Sequence, residues 1–197
     1  MRNSLQNGEL NPMETSDEAL MNAYQQGDQT ALAGLVRRHA DSLLGYLVRL
    51  CMQRQQAEDV FQETFLRVHR KAGSFRAGSR FKPWLYAIAT HLAIDSLRRR
   101  SRWFVSLDEG EKLIVDPNPT PSESAAQSDR QTQVRKALES LPPRQRATVV
   151  LTYFEGLSYP EAAQSLGCSV GTVKKQMSRA LETLARLLPD AAKEGAA

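Results

Sequence analysis

Thr172, Lys174, Lys175, Gln176 and Arg179 stand close together near the end of this 197-residue chain, and their side chains are those of a duplex reader. Arg and Lys reach guanine edges and phosphates, Gln pairs with adenine, and a helix of ordinary diameter fits the major groove. At about 100° per residue, Thr172, Lys175 and Arg179 share one face of a helix, with Lys174 and Gln176 on its flanks. The opposite face is an apolar stripe of Val173, Met177, Ala180 and Leu184 at steps of three and four. The outer face carries one acid, Glu182, so its sign suits a polyanion.

A second set has the opposite character. Asp59, Gln62, Glu63 and Leu66 form one continuous patch on a helix whose other side, Ala57, Val60, Phe61, Thr64, Phe65 and Val68, is apolar. Asp59 and Glu63 are like charges at i and i+4, which costs a few tenths of a kcal/mol, and Leu66 leaves an apolar side chain beside them. The patch reads either as a partner surface or as a solvated face helped by a Glu63 to Arg67 pair. A third set follows in the basic loop SFRAGSRF, Ser74 to Phe81. Phe75 and Phe81 fit no helical period there, so with Arg80 they are expected to be exposed, and aromatic faces of that kind stack on unpaired bases. Trp84, His91, Asp95 and Arg98 make one stripe along the next helix. His91 is then placed either to meet a base edge, with Asp95 fixing its tautomer, or to bond a neighbouring helix.

Enzymatic chemistry has no such foothold. His39, His69 and His91 fall on different helices or faces, and no nucleophile-base pair or metal-ligand spacing is visible. The Glu-x-x-His pairs that a carboxylate-bridged metal site needs do not occur. No cofactor, metal or small-molecule substrate is therefore expected.

The elements that must position these residues are helices. Pro160 suits the first turn of a short helix that Gly167 stops, and Ser169 can cap the next one. Ala162 and Ala163 let the two cross closely and Leu166 fills the angle, which is a helix-turn-helix from Leu157 to Leu188. Upstream, the spacing predicts a helix capped by Ser16 and stopped by Gly27, and a second capped by Asp28 that runs to about Met52. A third spans Gln55 to Ala72, a fourth begins at Pro83, and further helices lie at about Arg130 to Ser140 and Arg144 to Glu155. No strand alternation appears, so the fold class is all-α, two small helical domains joined by a flexible linker.

Charge draws the same boundary. Residues 17–104 hold 14 Lys or Arg against 8 acids and residues 134–189 hold 8 against 4, whereas Asp108, Glu109, Glu111, Asp116, Glu123 and Asp129 crowd the stretch between. Three prolines in DPNPTPSES forbid a helix through its middle. The expected map is a disordered 1–15, a first domain at 16–104, an acidic linker at 105–129, a second domain at 130–189 and a tail at 190–197. No apolar run approaches the roughly 20 residues of a membrane span, and the polar N-terminus lacks a signal-peptide core, so a cytoplasmic place is expected. Cys51 and Cys168 have no nearby thiol partner in sequence and read as reduced structural residues.

Taken together, QAEDVFQETFLRVHRKAGSF, FKPWLYAIATHLAIDSLRRR and SLPPRQRATVVLTYFEGLSYPEAAQSLGCSVGTVKKQMSRAL occur in the order found in the sigma-70 family of bacterial transcription initiation factors. The chain resembles its small extracytoplasmic-function group, over residues 17 to 188. The resemblance implies that Asp59, Gln62, Glu63 and Leu66 bind core RNA polymerase. It implies that Phe75, Arg80, Phe81, Trp84, His91 and Arg98 melt the downstream promoter element and hold an extruded base. Thr172, Lys174, Lys175, Gln176 and Arg179 would read the upstream element, and an anti-sigma factor is a further expected partner. Thr90-His91 departs from the family pattern, which commonly has Arg-Asn, or at least the Asn, there. The competing function is a stand-alone helix-turn-helix regulator with an N-terminal sensing or dimerisation domain.

Overall fold

The computed structural model describes residues 15–106 and 125–188. Every element within them is helical. Ser16 Oγ accepts from the Ala19 amide at 3.2 Å and starts α1, Asp17–Gln25; Asp28 accepts from the Thr30 amide at 2.9 Å and starts α2, Gln29–Cys51. These are the caps expected, because a side-chain oxygen there satisfies an amide the helix leaves unpaired. Gly27, at φ +105°, turns the chain between them. Met52, also left-handed at φ 61°, turns it again into α3, Arg54–Lys71, which a short 3-10 turn at Ala72–Ser74 extends.

The fourth helix, α4, spans Phe81–Ser106 and so begins before Pro83. Its first free amide, that of Phe81, donates to Glu18 Oε1 at 2.9 Å, a cap supplied from α1 that no local signal announces. Around α4 lie Leu20 and Met21 of α1, Leu35, Leu43, Tyr46 and Leu47 of α2 and Val68 of α3, all buried. Tyr46 and Tyr86 pack edge to face at 5.1 Å, and the Tyr46 hydroxyl finds Thr90 Oγ1 at 2.6 Å, which in turn donates to the Tyr86 carbonyl. Burial pushes both tyrosine pKa values up, so these phenols act only as neutral hydrogen-bonding groups.

The C-terminal half has α5, Ala125–Glu139, then α6, Pro143–Val149, a π turn at Val150–Phe154, α7, Tyr159–Leu166, and α8, Val170–Leu187. Two boundaries differ from expectation. Helix α5 starts at Ala125, inside the stretch read as linker, and the helix expected over Arg144 to Glu155 is α-helical only to Val149 before its spacing widens. The expected disordered N-terminus, the middle of the acidic linker and the tail lie outside the described residues.

The two halves share one continuous core, in which Ala147, Val150, Leu151, Leu157, Ala162, Ala163, Leu166 and Val173 join the cluster built on α2 and α4. Arg146 ties the seam: its buried guanidinium donates to the Leu50 carbonyl at 2.8 Å and to the Glu139 and Leu141 carbonyls at 3.0 Å. Among the described residues, no helix is long and apolar enough to cross a membrane.

Candidate nucleic-acid interface

Helices α7 and α8 form the expected helix-turn-helix. Ser158 and Glu161 close a reciprocal cap on α7, with the Ser158 amide donating to Glu161 Oε2 at 2.9 Å. Those bonds, helped by Arg80, hold the Glu161 carboxyl below its usual range. Gly167 at φ +61° makes the turn, and Ser169 Oγ accepts from the Thr172 amide at 3.1 Å to start α8. Val173 and Ala180 are fully buried, while Met177 and Leu184 pack partly buried on the small cluster of Leu138, Leu141 and Val149.

That anchoring sends Lys174, Lys175 and Arg179 into solvent. No ion pair engages any of the three among the described residues, so the outer face of α8 keeps its full positive charge. Thr172 is half-buried, with its hydroxyl 3.0 Å from that of Ser169. Gln176, expected to read the duplex, is also half-buried and turns inward. The Thr148 hydroxyl on α6 meets Gln176 Oε1 at 2.7 Å, so the amide is braced against the helix behind it.

On α3, Asp59, Gln62 and Leu66 are exposed, Leu66 by half its surface. Glu63 takes Arg67 at 3.1 Å and Arg70 at 3.7 Å. The expected Glu63–Arg67 pair exists, and beside it Asp59, Gln62 and Leu66 present an exposed acidic and apolar surface.

The loop before α4 is not what its sequence suggests. Phe75 is 4% exposed and Phe81 is fully buried, and with Trp84 they pack at ring distances of 5.3 to 6.1 Å. Gln25 of α1 clamps the loop by donating to the Ala72 and Phe75 carbonyls at 2.7 and 2.9 Å. The expectation that these aromatics stand in solvent is therefore corrected. A loop this short, clamped by α1, delivers its rings into the core between α1 and α4, and no periodicity within the loop carries that information. His91 is exposed, but its Nδ1 lies 2.6 Å from the Ala87 carbonyl, so the backbone rather than Asp95 sets its tautomer. Trp84 is half-buried, Arg98 is exposed, and Arg80 pairs with Glu161 at 2.8 Å.

Sequence reasoning missed Lys82, Tyr86 and Glu155. The Glu155 carbonyl accepts from Lys82 Nζ at 2.6 Å and its Oε2 accepts from the Tyr86 hydroxyl at 2.5 Å. The only hint was Tyr86 itself, a phenol on an otherwise buried helix that needs a partner. Cys51 is buried and its thiol is pushed up to about 12, and burial raises Cys168 as well, which favours the neutral thiol at both.

The family model of Sigma-70 region 2 matches residues 35–102, and that of Sigma-70, region 4 matches residues 131–184. The chain is 38% identical to the ECF RNA polymerase sigma factor SigE of Mycolicibacterium smegmatis, over 87% of its own length and 69% of that protein. It is 33% identical to the RNA polymerase sigma-H factor of Pseudomonas aeruginosa, over 87% of this chain and 93% of that one. Among solved structures, the sigma factor RpoE of Bartonella quintana, in complex with the anti-sigma factor NepR, matches at a TM-score of 0.65 and 27% identity. That match covers 86% of this chain and 98% of the other.

Proposed function

The chain belongs to the sigma-70 family, in the extracytoplasmic-function group of RNA polymerase sigma factors, and from that premise we propose which of its surfaces does which part of the work. As a transcription initiation factor it binds core RNA polymerase and directs it to promoters. We assign polymerase docking to Asp59, Gln62, Glu63 and Leu66, whose acidic and apolar face suits basic helices of the polymerase clamp. Upstream-element reading goes to α8, where Lys174, Lys175 and Arg179 meet the duplex and Thr172 and Gln176 flank them. The observation that carries this is the unpaired positive face of α8 on a helix whose other side is locked into the core.

Downstream melting goes to α4 through Trp84, His91 and Arg98, with Arg80 at its start. Phe75 and Phe81 are the buried floor under Trp84, not stacking platforms. His91 stands where the family pattern commonly has Asn. Its Nε2 is the ring atom left to meet a base, because Nδ1 is spent on the Ala87 carbonyl. The factor works in the cytoplasm with the polymerase, and an anti-sigma protein is a further partner, as the Bartonella factor is found in complex with the anti-sigma factor NepR.

In vitro transcription from genomic fragments, with and without core polymerase, tests this reading. Promoter-specific transcripts that need both proteins support it. Tight sequence-specific binding by the chain alone, with no effect on polymerase, is the result a stand-alone regulator gives and would refute it.

A further inference from the structure

Gln176 lies four residues after Thr172 and three before Arg179, so it stands between them on the side of α8 proposed to face the upstream element. Val173 and Ala180, both fully buried, fix the rotation of the helix. Behind Gln176, the fully buried Thr148 of α6 has its hydroxyl 2.7 Å from Gln176 Oε1 and 2.9 Å from the Arg144 carbonyl. A hydroxyl has one proton to give. Donated over the shorter separation, it occupies the acceptor of the Gln176 amide and leaves Nε2 as the polar atom free to turn outward. Among the described residues, no other hydrogen bond reaches Gln176.

A glutamine singles out adenine through two bonds, one donated to N7 and one accepted from the N6 amino group. We infer that Thr148 is a specificity-determining residue which, on the duplex-reading role proposed for α8, denies Gln176 the second of these bonds and makes it a donor-only probe of the major groove. Thr148 touches no base itself and acts as a positioning residue. A lone donor meets N7 of either purine, O6 of guanine or O4 of thymine, whereas cytosine offers its edge only as an amino group. The position that Gln176 faces therefore admits adenine, guanine and thymine and rejects cytosine. Lys174, Lys175 and Arg179 are donors without an acceptor as well, so the brace on Gln176 brings it into line with the rest of that face.

The test uses the full chain with core polymerase, in selections from duplex promoters whose upstream element is randomised. Thr148→Val removes the hydroxyl and nearly keeps the shape, and Thr148→Ser keeps the hydroxyl. Far-UV circular dichroism and melting temperature establish that each variant is folded, and Thr148→Ala takes the place of Thr148→Val if that one is not. Gln176→Ala locates the position that Gln176 meets, as the one whose base preference disappears. There the parent chain should take adenine, guanine and thymine within about threefold of one another and disfavour cytosine by about tenfold. Thr148→Val frees the whole amide and should favour adenine by about fivefold or more, while Thr148→Ser should keep the parent's pattern. A preference for adenine alone or for cytosine in the parent chain, or a Thr148→Val pattern equal to the parent's, overturns the constraint and leaves Gln176 a reader. If Gln176→Ala changes no position, the reading role of Gln176 falls and the constraint with it, and Arg179→Ala in the same selection shows whether α8 still reads.

Discussion

The two halves of the molecule are built on unequal terms. In the N-terminal half, Met21, Leu35, Leu43, Tyr46, Leu47, Leu50, Phe81, Leu85 and Tyr86 are all fully buried, in a cluster that α1 to α4 mostly supply. Among the described residues, the C-terminal half has a small cluster of its own, Leu138, Leu141, Val149 and Ala180, on which Met52 also packs, and most of its other buried apolar side chains lie in the core that α4 organises. A body of about 60 residues buries too small a fraction of its surface to be more than marginally stable. One half is therefore a platform. The other, which carries the helix proposed to read the upstream element, is a reader that leans on it.

The largest expected effect tests the platform. Phe75→Ala removes a buried ring from the contact with Phe81 and Trp84 and should cost about 3 to 5 kcal/mol, read as a lower denaturation midpoint of the whole chain. An unchanged midpoint would mean that the ring is a surface platform after all. Next comes the seam. Arg146→Ala strips one donor group from three carbonyls, of Leu50, Glu139 and Leu141, and should cost about 3 kcal/mol. Hydrogen exchange should quicken in α5 to α8 well before α2 and α3. Uniform quickening would erase the distinction between platform and reader.

Those two residues also mark where sequence legibility ends. Ser16, Asp28, Ser158, Ser169 and Gly167 were readable because a cap or a left-handed turn is decided within a few residues. The apolar stripe of α8 was readable because its period is local. Phe75 and Phe81 were misread because their burial is decided by Gln25 and α1, some fifty residues away. Glu155 carried no local signal at all: a carboxylate at a helix end is ordinary until Lys82 and Tyr86 are brought to it by the fold. Gln176 has the right chemistry for reading adenine, yet Thr148 behind it turns that amide inward. Nothing on the recognition helix itself encodes that contact.

A smaller contrast lies in acid. Each half has a carboxylate whose native pKa lies below its ordinary value. Burial alone would raise that of Asp17, but bonds from His39 and Arg38 outweigh it, and the Ser158 cap lowers that of Glu161. A lowered native pKa gives stability that is complete above the ordinary values, 3.8 for Asp17 and 4.5 for Glu161, and is lost as pH falls through the native ones. Asp17→Asn should lower the melting temperature at pH 7 and flatten its decline below about pH 4. Glu161→Gln should do the same more weakly, because its cap can be partly replaced by water. Equal shifts would show that the two halves are equally anchored.

The smallest effect on stability should accompany a large effect on function. On the platform's outer face, Glu63→Ala gives up ion pairs to Arg67 and Arg70 that stand in solvent and contribute a few tenths of a kcal/mol. Asp59→Ala relieves repulsion along the same helix by a similar amount. The two changes together should therefore move the stability of the chain by less than about 0.5 kcal/mol, since gain and loss nearly cancel. Binding is another matter. An acidic pair facing basic helices speeds encounter and opposes dissociation, so affinity for core polymerase should fall by about tenfold or more, with a shallower dependence on salt. Sedimentation of the double variant with polymerase at two salt concentrations, beside a melting curve, gives both numbers. Unchanged affinity with a lower melting temperature would make this face part of the scaffold, and the platform would have to meet the polymerase elsewhere.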